Sequence, residues 1–359
     1  VTARRAGETS VVAAGEVKHC EGVGMKLRVG LVGLGNAWQQ RHRPALLALG
    51  DRFDVRAVCA EVAARAEQVA NEFGASAVDG FRSLTARDDV DAVLVLTPEW
   101  YGPLPILAAC ESGKAVYCAA ALDIEPERAS EIKRRVEDSG VAFMAEFPRR
   151  HAPATLRLKE LIATTLGAPR LVFCHERQKL SERNGAPRAH RQCPPSVRNL
   201  LELVDWCRYV VGREPSSVIG AAHHQEHELV DYQMMSLDFS SAGSVGTGPL
   251  AQISCSRYLQ TAWHEAVSFR PPAELQVCCQ RGVAFIDLPS TLVWFDDAGR
   301  HLESLGGERP VGEQMLMQFH RAVTSLVRKT SDLEDAYRAL TIVLAAQASG
   351  RAGHRVDLE

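Results

Sequence analysis

The sequence predicts an α/β fold: a doubly wound parallel sheet first, then an α+β unit with a mostly antiparallel, open sheet. Three observations predict it. From Met25 to about residue 150, short β-rich runs alternate with amphipathic helical stretches, the pattern of βαβ units. Beyond Arg150 the strand-like runs follow one another with only Gly, Pro and Asp turns between them, the pattern of antiparallel pairing. A length of 359 residues exceeds what one hydrophobic core organises, so two domains are expected, at 25–148 and 149–359.

The first strand is residues 26–32 (KLRVGLV), nearly continuous in apolar character as a buried parallel strand should be. A glycine turn and a helix through Leu49 follow it. Residues 53–59 (FDVRAVC) make the second strand, and 62–73, apolar at helical spacing, the helix after it. The run 91–96 (DAVLVL) is the third clear strand and 101–112 its helix. Strands at 114–118 and 141–146, separated by a charged helix at 125–138, complete the first domain. In the second, a helix at 153–163 carries its proline in the first turn, where no amide is missed. A strand at 171–175 follows. The polar, proline-broken segment 177–196 reads as a loop over a site, and 197–211 as a helix. The runs SSVIGAA, YQMMSLDF, AQISCSRY, ELQVCC, VAFIDL and TLVWF read as strands of an antiparallel sheet, and helices at 313–329 and 332–348 close the chain. Residues 1–24 mix Gly, Ala and charge without a period and are expected to form a disordered extension.

Composition narrows the class of function. Lys and Arg number 41 against 44 Asp and Glu, interleaved along the chain, which leaves no basic face for nucleic acid to neutralise. The ten cysteines include no CxxC pair, so a reducing compartment is expected rather than a disulfide framework; the adjacent Cys278 and Cys279 read as strand residues. No stretch approaches the roughly 18 apolar residues of a membrane helix, and 1–24 lacks the pattern of a secretion signal. A cytoplasmic protein is expected.

The motif with the most chemical content is Gly33-Leu34-Gly35-Asn36-Ala37-Trp38, between a strand and a helix. In such a turn the missing Cβ atoms let backbone amides and the helix N-terminus approach a pyrophosphate. Its sixth position should be small so that helix and strand pack closely, and here it is Trp38. At the end of the second strand, where a carboxylate would accept ribose hydroxyls, Ala60 cannot do so and Glu61 stands one residue late. Glu61 reads equally as an ordinary acid at a helix N-terminus.

With RVGLVGLGN at 28–36, DAVLVLTP at 91–98, ESGKAVYC at 111–118, VDWCRYVVG at 204–212 and SGRAGHRVDL at 349–358, the chain resembles the Gfo/Idh/MocA family of glucose-fructose oxidoreductases and inositol dehydrogenases. The resemblance implies a Rossmann domain holding NAD or NADP, and an open second sheet that supports homodimers or homotetramers. It also implies a sugar, cyclitol or similar small polyol as substrate. For the cofactor it implies Gly33, Gly35, Asn36, Ala37 and Trp38 of the turn. Glu61, Thr97, Pro98 and Arg150 complete that set, and Glu61 leans the choice towards NAD, since a carboxylate repels a 2′-phosphate.

The sequence departs from the family at its active site. Ungapped reading puts Ala119, Ala120 and Ala121 where the family has Glu-Lys-Pro, so Ala120 replaces the lysine. Arg198 and Glu202 occupy the slots of an Asp and a His on one helix face, Asp205 matches the pattern, and Gly102 replaces a further histidine. In a closed pocket Glu202 would have a raised pKa suited to proton transfer, so it is the catalytic candidate, with Tyr101 and Lys179 as lesser ones. A salt-bridged helix residue is the plainer account of Glu202. Arg149-Arg150-His151 could touch a cofactor or anionic substrate, or form a hinge salt bridge. His223, His224 and His227 make a poor metal set, because on a strand 224 points away from the other two, and no metal is expected. Three functions stay open: a divergent NAD(P)-dependent oxidoreductase; a non-catalytic dinucleotide- or ligand-binding protein or partner subunit; and a different reaction, such as a lyase or hydrolase step in the polyol pocket, or a nucleotide-independent binding protein.

Overall fold

A computed structural model describes residues 26–119, 126–179, 195–224, 230–241, 243–259, 265, 269, 273–325 and 331–358. The first sheet has six parallel strands: β1 (Leu27–Val32), β2 (Phe53–Cys59), β3 (Ser76–Ala77), β4 (Ala92–Val95), β5 (Ala115–Cys118) and β6 (Phe143–Ala145). Their order is β3-β2-β1-β4-β5-β6, so the chain reverses direction of growth between β1 and β4. Every residue of β4 and β5 is buried, as strands covered on both faces require. The helices are α1 (Arg43–Ala48), α2 (Ala63–Phe73), α3 (Phe81–Thr85), α4 (Pro98–Tyr101), α5 (Leu104–Glu111) and α6 (Pro126–Ser139). Two features lay below the reach of periodicity: β3 has two residues and α3 five. The helix expected at 101–112 is two, broken where Gly102 takes φ 60° and ψ −137° ahead of Pro103.

The helix after β1 begins as a π-helical turn over Trp38–His42 before continuing as α1. Its wider turn accommodates the bulky sixth residue. Trp38 is 1 % exposed and packs on Phe73 of α2, with ring centroids 6.1 Å apart.

The second sheet contains β7 (Pro169–Lys179), β8 (Ser217–His224), β9 (Val230–Asp238), β10 (Leu250–Leu259), β11 (Leu275–Cys279), β12 (Val283–Asp287), β13 (Thr291–Asp296), β14 (Gly299–Ser304) and β15 (Val356–Asp357). Their order is β14-β13-β12-β11-β7-β10-β9-β8-β15. The sheet is mixed rather than purely antiparallel, because β7 lies parallel to β10. β7 leaves the sheet through α8 (Pro195–Val211), and such a crossover permits a parallel return that a hairpin does not. One face is covered by α7 (Pro153–Leu161), α8 and α10 (Ser331–Ala352), with Val172, Cys174, Ile253 and Val277 packed against Leu203, Val204 and Trp206. The opposite face carries the exposed Leu171, Ile219, Phe295 and Leu302.

The closing helices do not stay with the second sheet. Met315, Leu316 and Phe319 of α9 (Val311–Thr324) pack on the first sheet beside Leu31 and Tyr117. Leu333 and Ala336 of α10 enter that sheet's other core, while Ala339 to Ala346 enter the second sheet's core. Among the described residues no helix is long and apolar enough to cross a membrane.

Candidate functional site

The carboxyl ends of the parallel strands meet at one edge, and the sequence places its polar residues there. In a doubly wound sheet ligands sit in the crevice beyond these ends, at the point where the strand order reverses. That point lies between β1 and β4. Gly33 has φ +77°, and a Cβ on it would collide with the Thr97 hydroxyl; a Cβ on Gly35 would collide with the Leu96 carbonyl oxygen. Both glycines are therefore fixed by how closely the turn approaches the end of β4. The Gly33 amide donates to the Cys59 carbonyl over 2.7 Å, and the Trp38 amide to that of Gly35 over 3.0 Å. Among the described residues the amides of Leu34, Gly35, Asn36 and Ala37 meet no acceptor, and Asn36 is exposed. Consecutive open amides at a helix N-terminus fit a pyrophosphate. Glu61 stands exposed just beyond β2, on the adenosine side of such a ligand. Thr97 and the backbone of Pro98 begin α4 on the opposite wall.

On the far side of the edge lies a buried polar cluster. The Glu146 side chain, directly after β6, is fully buried. Its Oε1 accepts from the Tyr117 hydroxyl over 2.7 Å and lies 2.5 Å from Nε2 of His42. Its Oε2 accepts from Nη2 of Arg41 over 2.7 Å. Burial and the neighbouring Glu146 carboxylate push the Tyr117 phenol well above its ordinary pKa, so it stays a hydrogen-bond donor.

Two arginines after β6 organise α8. Nη1 of Arg149 donates to Glu274 over 2.8 Å and Nη2 to Glu176 over 3.2 Å, while Nε faces Glu202 at 3.6 Å. Glu202 lies on α8 with 41 % of its side chain exposed. Burial raises its pKa; the Arg149 guanidinium opposes this, and Glu176 and Glu146 reinforce it, with Arg41 on the opposing side. Arg150, expected to meet a cofactor, instead forks onto both oxygens of Asp205 and reaches Asp335 over 2.8 Å. Asp205 is 1 % exposed and also faces Arg208 at 3.6 Å, so it is a structural anchor.

The crevice brings together Gly33, Gly35, Asn36, Ala37, Glu61 and Thr97. It leaves Trp38 in the core through its side chain. Tyr101 packs edge-on against Phe81 at 4.8 Å, and burial raises its pKa. Ala119 follows β5 at the crevice, whereas Ala120, Ala121 and His227 lie outside the described residues, as do the side chains of Arg198, Lys179 and His224. Among the described residues no group of His, Cys, Asp and Glu could hold a metal. Arg41, His42 and Glu146 escaped the sequence reading. Their available signals were a charged pair in the first turn after a glycine turn, and an acid ending an apolar strand run.

Comparison with known proteins agrees with this architecture. Residues 27–147 match the profile described as oxidoreductase family, NAD-binding Rossmann fold (Gfo/Idh/MocA). D-xylose 1-dehydrogenase (NADP(+)) 2 of Haloferax volcanii is 31 % identical over 140 residues, covering 39 % of this chain and 42 % of its own. Inositol 2-dehydrogenase 3 of Saccharopolyspora erythraea is 33 % identical over 195 residues, covering 53 % and 55 %. The chain thus spans about half the length of the curated relatives it matches. A levoglucosan dehydrogenase in complex with NADH and levoglucosan superposes with a TM-score of 0.78 at 17 % identity, over 93 % of this chain and 99 % of that one, a likeness of fold. The glycine turn, the reversing strand order and the matched profile make residues 27–147 similar to the NAD-binding Rossmann domain of the Gfo/Idh/MocA oxidoreductase family.

Proposed function

We propose that the protein is an NAD(P)-dependent oxidoreductase acting on a hydroxyl of a sugar, cyclitol or similar small polyol, with Glu202 as its acid-base group. The observation that carries this reading is the presence of four open amides in the glycine turn together with the Glu202 carboxylate held 3.6 Å from Arg149, which follows β6. The amides of 34–37 would hold the pyrophosphate, and Glu61 the adenosine ribose, with the lean towards NAD that its charge gives. A bound nicotinamide supplies the hydride acceptor. Glu202 takes the proton from the substrate hydroxyl and returns it in the reverse direction; Arg149, at 3.6 Å, keeps it oriented. The xylose and inositol activities of the relatives support a polyol substrate.

A second reading, a non-catalytic dinucleotide-binding protein, is favoured by the locking of Asp205 to Arg150 and Arg208, which leaves Glu202 without an acidic neighbour free to act. We also propose that the open face of the second sheet joins copies of the chain.

Calorimetric titration with NAD+, NADH, NADP+ and NADPH, followed by a polyol screen for nicotinamide reduction, separates the readings. The oxidoreductase predicts binding and turnover. Glu202→Gln should then lower turnover by about 10²- to 10⁴-fold with cofactor affinity unchanged. Binding without turnover would establish the second reading, and no binding at all would sink both.

A further inference from the structure

We propose that Arg41 is a ligand-binding residue, held from beneath by Glu146 so that its free Nη1 meets the nicotinamide-riboside half of the dinucleotide. The proposal rests on the dinucleotide reading above. It starts from an asymmetry among the arginines. Arg28 forks onto Asp91 through Nε and Nη2, and Arg208 onto Glu214 in the same way, as arginines in structural pairs do. Arg41 does not. It gives Glu146 only Nη2, its Nε is buried without a partner, and its Nη1 meets no acceptor among the described residues.

The carboxylate it touches is already well served. Glu146 has Tyr117 and His42 at its other oxygen, and neither it nor they reach solvent. Arg41 stands at the boundary, a quarter of its side chain exposed. Its stem is braced as well: a Cβ on Gly312 of α9 would stand 2.9 Å from Arg41 Cγ and 2.7 Å from its carbonyl oxygen. A braced guanidinium whose Nη1 has no acceptor and whose side chain is a quarter exposed at the crevice is placed to take a partner from solvent.

Position decides which partner. Glu146 follows β6, three strands from β1 in the order β1-β4-β5-β6. At about 4.8 Å per strand the end of β6 stands roughly 14 Å from that of β1, so the Arg41 side chain, which starts one helical turn beyond Ala37, runs from the phosphate turn towards β5 and β6. A dinucleotide laid across this edge has its adenosine over β2 and its second half over β4 to β6. The Arg41 charge is also felt by the Glu202 carboxyl, which places it towards the substrate side. The groups within its reach are therefore the ribose hydroxyls and carboxamide oxygen of the nicotinamide half.

The test is calorimetric titration of the full chain with NADH and with ADP, which lacks that half. Arg41→Gln removes the charge, and Arg41→Lys keeps the charge and the Glu146 pair but loses the fork. NADH affinity should fall tenfold or more in Arg41→Gln and less in Arg41→Lys, with ADP affinity unchanged in both. If Arg41→Gln fails to fold, Arg41→Lys alone decides. Unchanged NADH affinity, or equal losses for NADH and ADP, overturns the assignment. A wild-type protein that takes neither ligand overturns the dinucleotide reading itself, and a wild type that binds ADP and NADH equally tightly overturns only the role of Arg41.

Discussion

Gly35 shows how much one residue type decides at this site. A methyl there would collide with the Leu96 carbonyl, so Gly35→Ala must push the turn away from β4. We expect a loss of about 1–3 kcal/mol in urea unfolding, together with loss of dinucleotide binding. Gly50→Ala is the control, because its nearest neighbour would be the Leu47 carbonyl at 3.4 Å, and it should change neither. His151 gives a pH dependence. Burial, assisted by Arg150, lowers its pKa from 6.5 to about 4. The unfolded chain takes up that proton first, so the stability from a neutral His151 is complete above about 6.5 and drains away as pH falls towards 4. At about 1.4 kcal/mol per unit, the loss is on the order of 3 kcal/mol. The melting temperature should fall over that window and fall less in His151→Asn; equal slopes would show another group responsible. Residues with local signatures were legible in the sequence, the turn glycines by their context between a strand and a helix. Glu146 was not, because its partners Arg41 and His42 lie 105 and 104 residues away, and no local pattern carries such a pairing.

At the scale of elements, the same limit separates periodicity from closure. The strands β1, β2 and β4 and the helix α2 were readable because apolar spacing reports a buried face. The π-helical turn was not, although its cause, an indole at a position suited to a small residue, stood in the sequence. The helix α8 carries Glu202 and is tied to its surroundings by Arg150, which links Asp205 on α8 to Asp335 on α10. Arg150→Ala leaves Asp205 buried beside Arg208 alone, and should cost about 3–5 kcal/mol, the penalty of breaking a buried pair. Arg150→Ala with Asp205→Asn should recover part of that loss, since the amide removes the uncompensated charge. Urea titrations of the two single variants and the double variant measure the coupling. Additive losses would mean that the pair does not hold α8 in place.

For the whole molecule, the alternation of strand and helix announced the first sheet, and turn spacing the second. The parallel pairing of β7 with β10 was hidden, since strand direction depends on where a crossover returns rather than on any residue. The register also shows what the second sheet offers to a partner. One row runs across its open face through Ile219, Ser236, Gln252, Phe173, Gln276, Phe285, Val293 and Leu302, from β8 to β14, without a charge. Eight strands at about 4.8 Å make this face roughly 34 Å wide, and five residues of strand make it about 17 Å long. The product, near 600 Å², approaches the roughly 800 Å² per partner of a stable interface, and the flanking Phe295, Leu171 and Leu250 enlarge it. Leu302 is 61 % exposed and Phe295 40 %, so charges there burden the interface and not the fold. Sedimentation at micromolar concentration should give a dimer or tetramer for the wild type and a monomer for Phe295→Glu with Leu302→Glu, at unchanged melting temperature of the monomer fold. A monomeric wild type, or a variant that assembles as the wild type does, would show that this face stays open.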